Sequence, residues 1–482
     1  MKKNHLLHIK LFLMVGFFAT VMGCKKFIEI DPPIDSSSKA LVFENESLAI
    51  STMTGLYATI TTNPRLGGGS PSVNSSLSVQ SGYLADELIS FSDLFLYRND
   101  LNTMPFDIWS TVYKDFIFPV NSIIEGLENT ESLNSETRNI LLGEAKFARS
   151  FAYFYLVNFY GDVPLVLTTN YKINSNIPRT DKKIVYKQII NDLNSADELL
   201  KDQYLDARLR ISSIPERIRP NRGAVQALLA RIYLYSEDWN RAEVAATKVL
   251  ENSGLYELTP LNDVFLKNSR EAIWQLQPNL LNNNGTNTSD ALLYLTSTRF
   301  LAAASSFLMS SFESGDQRKS QWITNRTNLG TTYQVPYKYK VGRGNSTQEQ
   351  SEYLMVLRLS EQYLIRAEAR AHNNNLFGIN SAESDLNMIR NRAGLSNFSG
   401  STQKQILDAI YHERQVELFC EWGHRWLDLK RTGIIDSVMT EVAPVKGGTW
   451  AGYKALAPIP YYEFLYNPSL RGHQNPGYKE QI

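Results

Sequence analysis

Gly143-Glu-Ala-Lys-Phe-Ala-Arg-Ser-Phe-Ala-Tyr-Phe-Tyr-Leu-Val-Asn-Phe-Tyr-Gly-Asp-Val-Pro-Leu165 is the stretch on which the fold turns. Starting two residues earlier, Leu141, Ala145, Ala148, Ala152, Tyr155 and Phe159 recur at intervals of 4, 3, 4, 3 and 4, which lays one apolar stripe along a helix. Gly161-Asp162-Val163-Pro164 ends that helix, because glycine and proline cannot continue it. A second helical pattern at about Lys183 to Leu200 returns after a linker containing Pro178, so residues 141–200 are expected to form an antiparallel pair.

Two further pairs lie downstream. Residues 222–250 read as helix, turn at Ser236 to Asn240, and helix, with Leu229, Ala230, Tyr233, Ala242 and Ala246 on the tetratricopeptide spacing. Small side chains at those positions let two helices approach closely. Residues 357–393 repeat the plan, with Ala382, Leu386, Ile389 and Ala393 spaced 4, 3, 4. The expected fold is mainly α: tetratricopeptide-like hairpins forming a scaffold, with long loops and a few short strands. A helix near Glu44 to Thr61 precedes them, and residues 41–482 are read as one domain. Asn63 to Gly82, with Gly67-Gly68-Gly69 and many serines, is expected to be a long loop. Pro278 to Asp290 and Asn325 to Gln350 are polar, and the second contains Thr331-Thr-Tyr-Gln-Val-Pro-Tyr-Lys-Tyr-Lys340, so short strands are expected there. The regions 63–103 and 278–350 are the expected ligand-binding loops, since loops on a rigid scaffold usually carry the site.

The N-terminus carries Lys2, Lys3 and Lys10, then the apolar run Leu11 to Met22, the charged head and apolar middle of a secretory signal. That run is too short for a permanent span, which needs roughly 20 residues. Val21-Met22-Gly23-Cys24 resembles a bacterial lipobox, so residues 1–23 are expected to be removed and Cys24 to carry the lipid. Residues 24–40, including Pro32-Pro33, then form a tether. Loss of three lysines leaves 46 basic against 49 acidic residues, a net charge of about −3. Nothing in that balance favours nucleic acid. Hydrophobic residues at 43% and charged residues at 20% are ordinary for a soluble body. Cys420 has no partner once Cys24 is acylated, so stability must come from burial.

Signatures of catalysis are missing. His412-Glu413-Arg-Gln-Val416 has valine where a zinc protease needs its second histidine, and there is no Gly-x-Ser-x-Gly elbow, P-loop or dinucleotide turn. No catalytic residue, metal ligand or cofactor is therefore assigned. Glycoside hydrolysis leaves no short motif, because its two acids need only be about 5 to 10 Å apart in space. The adjacent acids Asp86 and Glu87 are the pair to inspect for that alternative, although neighbours in sequence point in different directions.

Three blocks together resemble the SusD/RagB family of Bacteroidetes nutrient-uptake lipoproteins: residues 143–165, Glu413-Arg-Gln-Val-Glu-Leu-Phe-Cys-Glu-Trp-Gly-His-Arg-Trp-Leu-Asp-Leu-Lys-Arg431, and Pro458-Ile-Pro460 with Asn475-Pro-Gly-Tyr478. Within them Arg149, Glu413, Arg414, Glu417, Arg425 and Asp428 sit among apolar helical residues, where paired charges orient packed helices, and His424 reads as a packing residue. The resemblance implies four tetratricopeptide-like pairs, an outer-membrane location, docking on a SusC-like TonB-dependent transporter, and an exposed site for an oligosaccharide or, less often, a peptide. It implies no catalytic step. A purely structural subunit is the remaining alternative. Lys25-Lys-Phe-Ile-Glu29 departs from the acid-rich run that often follows the lipidated cysteine in this group.

No ligand residue carries over by motif, so the site is chosen by chemistry. Sugar rings stack on flat aromatic faces, and neighbouring amides and guanidiniums bond their hydroxyls. That rule selects Phe95, Tyr97, Arg98 and Asn99 in the first loop region and Tyr294, Trp322 and Tyr333 in the second.

Overall fold

Most of the long helices begin where a side-chain oxygen meets the first unpaired backbone N–H groups. Asn45 accepts from Leu48 N at 3.1 Å ahead of α1 (Glu46–Thr62), and Ser76 accepts from Val79 N at 3.3 Å ahead of α2 (Leu77–Leu84). Asp93 caps the short α3 (Leu94–Tyr97). After α4 (Phe118–Glu128), Asn134 accepts from Thr137 N at 2.8 Å to start α5 (Ser135–Tyr160), and Asp181 starts α6 (Lys182–Leu199). Asn221 and Asp238 cap α7 (Arg222–Tyr235) and α8 (Trp239–Leu250). Beyond α9 (Leu359–His372), Ser381 and Ser384 close a capping box on α10 (Ala382–Arg392), and Thr402 caps α11 (Gln403–Glu417). Two more helices follow, α12 (His424–Arg431) and α13 (Ile435–Val445).

The structure, a computed structural model, describes residues 39–480 except 64–65, 68–75, 103–107, 213, 279–286, 296–299 and 343–348. The leader, Cys24, nearly all of the tether and most of the 278–290 loop lie outside the described residues.

The pairs expected at 141–200, 222–250 and 357–393 are hairpins: α5 packs on α6, α7 on α8, and α9 on α10. Contacts of α6 with α7 and of α8 with α9 stack the pairs in chain order. Gly143 lets α5 and α6 close up, since a Cβ there would meet Leu200 at 2.9 Å. Helix α5 starts at Ser135, six residues before the apolar stripe begins, because Asn134 rather than the stripe sets its start. Strands are short and paired two by two: β1 (Leu88–Ser90) with β3 (Ala302–Ala304), β2 (Ala272–Leu276) with β6 (Leu354–Arg358), and the hairpin β4 (Ile323–Asn328) with β5 (Thr331–Pro336). The hairpin falls in the segment where strands are expected.

One expected loop is corrected. Residues 77–84, inside the stretch read as a loop from 63 to 82, form the helix α2, and every residue of it is buried. Ser78 is an internal partner and not a loop marker, for Trp422 N donates to its Oγ at 2.8 Å. Ser289–Leu295 is likewise helical, starting at the end of the polar segment 278–290.

The core is aromatic around Trp274, whose ring meets Tyr57, Phe147 and Phe151 edge-on at 5.0 to 6.1 Å. Beside it lies a buried block of charge. Arg318 pairs with Asp316, Glu413 and Glu417, and Arg358 with Glu271, Glu417 and Glu421. Arg149 clasps Asp192 through two 2.8 Å bonds and Asn121 through a third, tying α5 to α6 and α4. Arg414 pairs with Asp428 at 2.8 Å, joining α11 to α12. Each of these buried groups meets a partner of opposite charge, which offsets the cost of taking it out of water.

Candidate functional site

The two loop regions meet through a strand pair. Register of β1 with β3 sets Leu88 opposite Ala304, and Phe91 N donates to Leu301 O at 2.9 Å, so the chain leaves the sheet edge at Phe91. Three aromatic rings gather there. Phe91 lies 4.9 Å from Tyr333 on β5 and 5.7 Å from Phe300, both edge-on, and Phe300 is 6.1 Å from Tyr333. Phe300 is buried, Tyr333 is half-buried, and Phe91 is 37% exposed, so the group is an interior foot with an outward face. Arg326 sits opposite Tyr333 in the β4–β5 register.

From Phe91 the chain turns through Asp93 into α3, which shows Leu94 and Phe95 to solvent at 44% and 45% exposure. Tyr97 is half-buried and Arg98 exposed. The result is a platform of apolar rings with one guanidinium, on a loop whose ends are fixed by a sheet and by α2. Flat rings with few torsions to freeze and adjacent charged donors suit a polar, ring-shaped ligand.

Four of the seven residues chosen from sequence keep accessible surface: Phe95 and Arg98 are exposed, and Tyr97 and Tyr333 are half-buried. The other three are corrected. Trp322 is fully buried, its indole N–H donates to Leu261 O at 2.9 Å, and the Lys338 ammonium lies 4.8 Å from its ring. Tyr294 is buried in the core. Asn99 is fully buried, donating to Leu84 O at 2.8 Å and accepting from Lys446. None of these has a face left for a ligand. Phe91 was missed, and only its pairing with Phe300 and Tyr333 reveals it.

The acid pair is also internal. Asp86 accepts two bonds from Arg425 at 2.7 and 2.8 Å, and Glu87 accepts from Cys420 N at 3.1 Å. Burial, reinforced by the Asp86 charge, pushes the Glu87 carboxyl up to about 8. Both side chains are sealed from water, at 4% and 1% exposure, and no sugar reaches them. Burial, and then the charges of Arg231, Arg414, Arg358 and Lys338, hold His424 well below the usual imidazole range, so it packs as a neutral ring. Among the described residues no group of three His, Cys, Asp or Glu is placed to hold a metal, and no helix is long and apolar enough to cross a membrane. A separate cleft of about 310 Å³, lined by Tyr57, Ile218, Arg219 and Leu276 among others, shares no residue with the platform.

Comparison with known proteins places these features. Residues 276–478 match the SusD family, and residues 26–234 match a second family described as starch-binding associating with outer membrane. Only residues 235–275 and the two ends fall outside these matches. SusD-like protein P25 of Formosa agariphila is 23% identical, covering 96% of this chain and 97% of its own. In structure, a SusD superfamily protein from Bacteroides vulgatus superposes with a TM-score of 0.73 at 21% identity, over 90% of this chain and 100% of that one. A laminarin-binding SusD-like protein gives 0.71 at 23% identity, with the same coverage. The hairpin scaffold, the charged block joining α11 to α12, and two family matches over most of the length lead to one assignment: the chain belongs to the SusD/RagB family.

Proposed function

We propose that this protein binds a glycan at the outer membrane, reversibly and without cleaving it, and passes it to a SusC-like TonB-dependent transporter while held by a lipid on Cys24. The observation that carries the reading is a set of rings partly open to solvent, Phe91 against Tyr333 and then Phe95 and Tyr97 with Arg98, set on fixed elements while Asp86 and Glu87 are sealed in the interior. Rings that stack on sugar and a guanidinium that bonds hydroxyls bind; they supply no acid and base across a glycosidic bond. The ligand residues of this reading are Phe91, Phe95, Tyr97, Arg98 and Tyr333. Laminarin binding by one structural neighbour and the starch-binding description of one matched family support a polysaccharide as the ligand class.

Two measurements test it. Prolonged incubation of residues 25–482 with laminarin or starch oligosaccharides, followed by chromatography, is expected to return every chain at its original length; shorter products would establish a hydrolase. Affinity purification of the lipidated protein from its native membrane is expected to bring a TonB-dependent transporter with it, and recovery of the protein alone would refute delivery.

A further inference from the structure

We infer that Lys446 is a positioning residue for the platform: its ammonium, delivered by the C-terminal end of α13, clamps the loop that carries Tyr97 and Arg98. Lys446 follows α13 directly and is buried at 6% exposure. Its Nζ donates to Tyr83 O at 2.6 Å, Ala85 O at 3.0 Å, Leu84 O at 3.2 Å and Asn99 Oδ1 at 3.0 Å. Four oxygens share three N–H groups, and they come from the two ends of one excursion of chain: the close of α2 and the residue just past Arg98. One side chain, about 350 positions away in sequence, therefore ties off the segment between them.

The rest of the geometry agrees. Asn99 takes a left-handed conformation, φ 56°, and its amide returns the tie by donating to Leu84 O at 2.8 Å. That residue closes α3, with Asn99 N donating to Leu96 O and Arg98 N to Leu94 O. The Lys446 ammonium lies 5.3 Å from the centre of the Tyr97 ring, close enough for the ring face to be attracted to it. Two residues after the lysine, a Cβ on Gly448 would sit 2.2 Å from Arg98 O, so only glycine lets this segment lie against the loop. Leu94 and Phe95 on the outer side are exposed, so on the inner side the clamp works beside the buried Leu96 and the packing of Phe91 on Tyr333. It ties the end of the loop that carries Tyr97 and Arg98, and a loop fixed before ligand arrives loses less freedom on binding.

The clamp itself stands on contacts within the protein; its effect on affinity rests on the glycan reading above. Both are tested with residues 25–482 carrying Lys446→Met, which keeps the length and apolar stem, or Gly448→Ala, which leaves the ammonium and pushes on Arg98. Amide hydrogen exchange at Arg98, Asn99 and Asp100 is expected to quicken by about tenfold or more in each variant, with α5 unchanged. Trypsin is expected to cut after Arg98 in the variants before it does so in the parent. Unchanged exchange at the loop in both variants would overturn the clamp. So would loss of protection in α5 of both, because Lys446 would then hold the core and not the loop. Calorimetric titration with laminarihexaose and maltoheptaose separates the second claim. Affinity lowered by about tenfold joins the clamp to binding. A loosened loop with undiminished affinity would leave the clamp standing and refute the placement of the sugar on this loop.

Discussion

Glu417 is the carboxylate of the buried block that meets three arginines, and its replacement by glutamine is expected to destabilise the whole fold. The side chain has no exposure. Its Oε1 accepts from Arg358 Nη1 at 2.6 Å and from Arg392, and its Oε2 accepts from Arg318 Nη1 at 2.9 Å. Burial works to raise this carboxyl, but the charges of Arg392, Arg358 and Arg318 prevail and hold it well below the ordinary 4.5. Glutamine removes the charge and turns an NH2 group toward guanidinium donors. Breaking a buried pair from one side costs about 3 to 5 kcal/mol, and three arginines lose a partner here, so the upper end applies. With roughly 2.1 cal/mol/K of unfolding entropy per residue over about 440 residues, that is a fall in Tm of about 5 °C. Calorimetry of Glu417→Gln at low and at high salt reads it, and the deficit is expected at both, because buried pairs are little screened. The pH dependence has a definite sign. A carboxyl depressed in the fold stabilises it above the unfolded value and loses that contribution as pH falls through the folded one, so the gap between parent and variant should be complete above the ordinary 4.5 and narrow progressively as pH falls below it. An unchanged Tm, or a deficit that disappears in high salt, would refute the reasoning.

Glu87→Gln is expected to act in the opposite sense. A carboxyl raised to about 8 contributes stability that is complete below the ordinary 4.5 and is lost as pH rises through 8, so the parent should weaken across that window while the variant stays level and exceeds it at pH 9. Identical pH slopes in urea titrations would count against the buried, protonated acid. Cys420 is fully enclosed, and burial followed by the Glu87 charge holds its thiol well above its usual range; a thiol reagent is expected to label it only at the rate of unfolding, and rapid labelling of the native protein would contradict its placement. Trp322→Ala is expected to cost about 3 to 5 kcal/mol by opening a cavity and to leave specific sugar contacts untouched, whereas Phe95→Ala should leave Tm unchanged and weaken binding; the reverse pattern in melts and titrations would exchange their roles.

The helical frame was legible because its signals are local. The 4, 3, 4 spacing from Leu141 to Phe159 and the alanines at 230, 242 and 246 report a face that must be buried, and those faces pack as expected. The charged residues of 413–431 were legible for a related reason, since charges flanked by apolar neighbours on a helix must find partners. Helix α2 was not, because Ser78, Gln80 and Ser81 are polar groups satisfied or enclosed only by distant parts of the chain. The site was half legible for the same cause. Side-chain type selected Phe95, Tyr97, Arg98 and Tyr333, yet type alone cannot separate an outward ring from an inward one. Trp322 turns in because Leu261 and Lys338, far off in sequence, receive it. Phe91 turns out because a two-stranded edge formed with residues 302–304 ends beside it.

Titration of residues 25–482 with a panel of laminarin and starch oligosaccharides, beside a variant carrying Phe95→Ala, Tyr97→Ala and Tyr333→Ala together, bears most directly on glycan capture at the platform. Saturable binding by the parent is expected, weakened by about tenfold or more in the triple variant while it remains folded, since each lost ring contact is worth about 0.5 to 1.5 kcal/mol. Undiminished binding by the folded triple variant would contradict it.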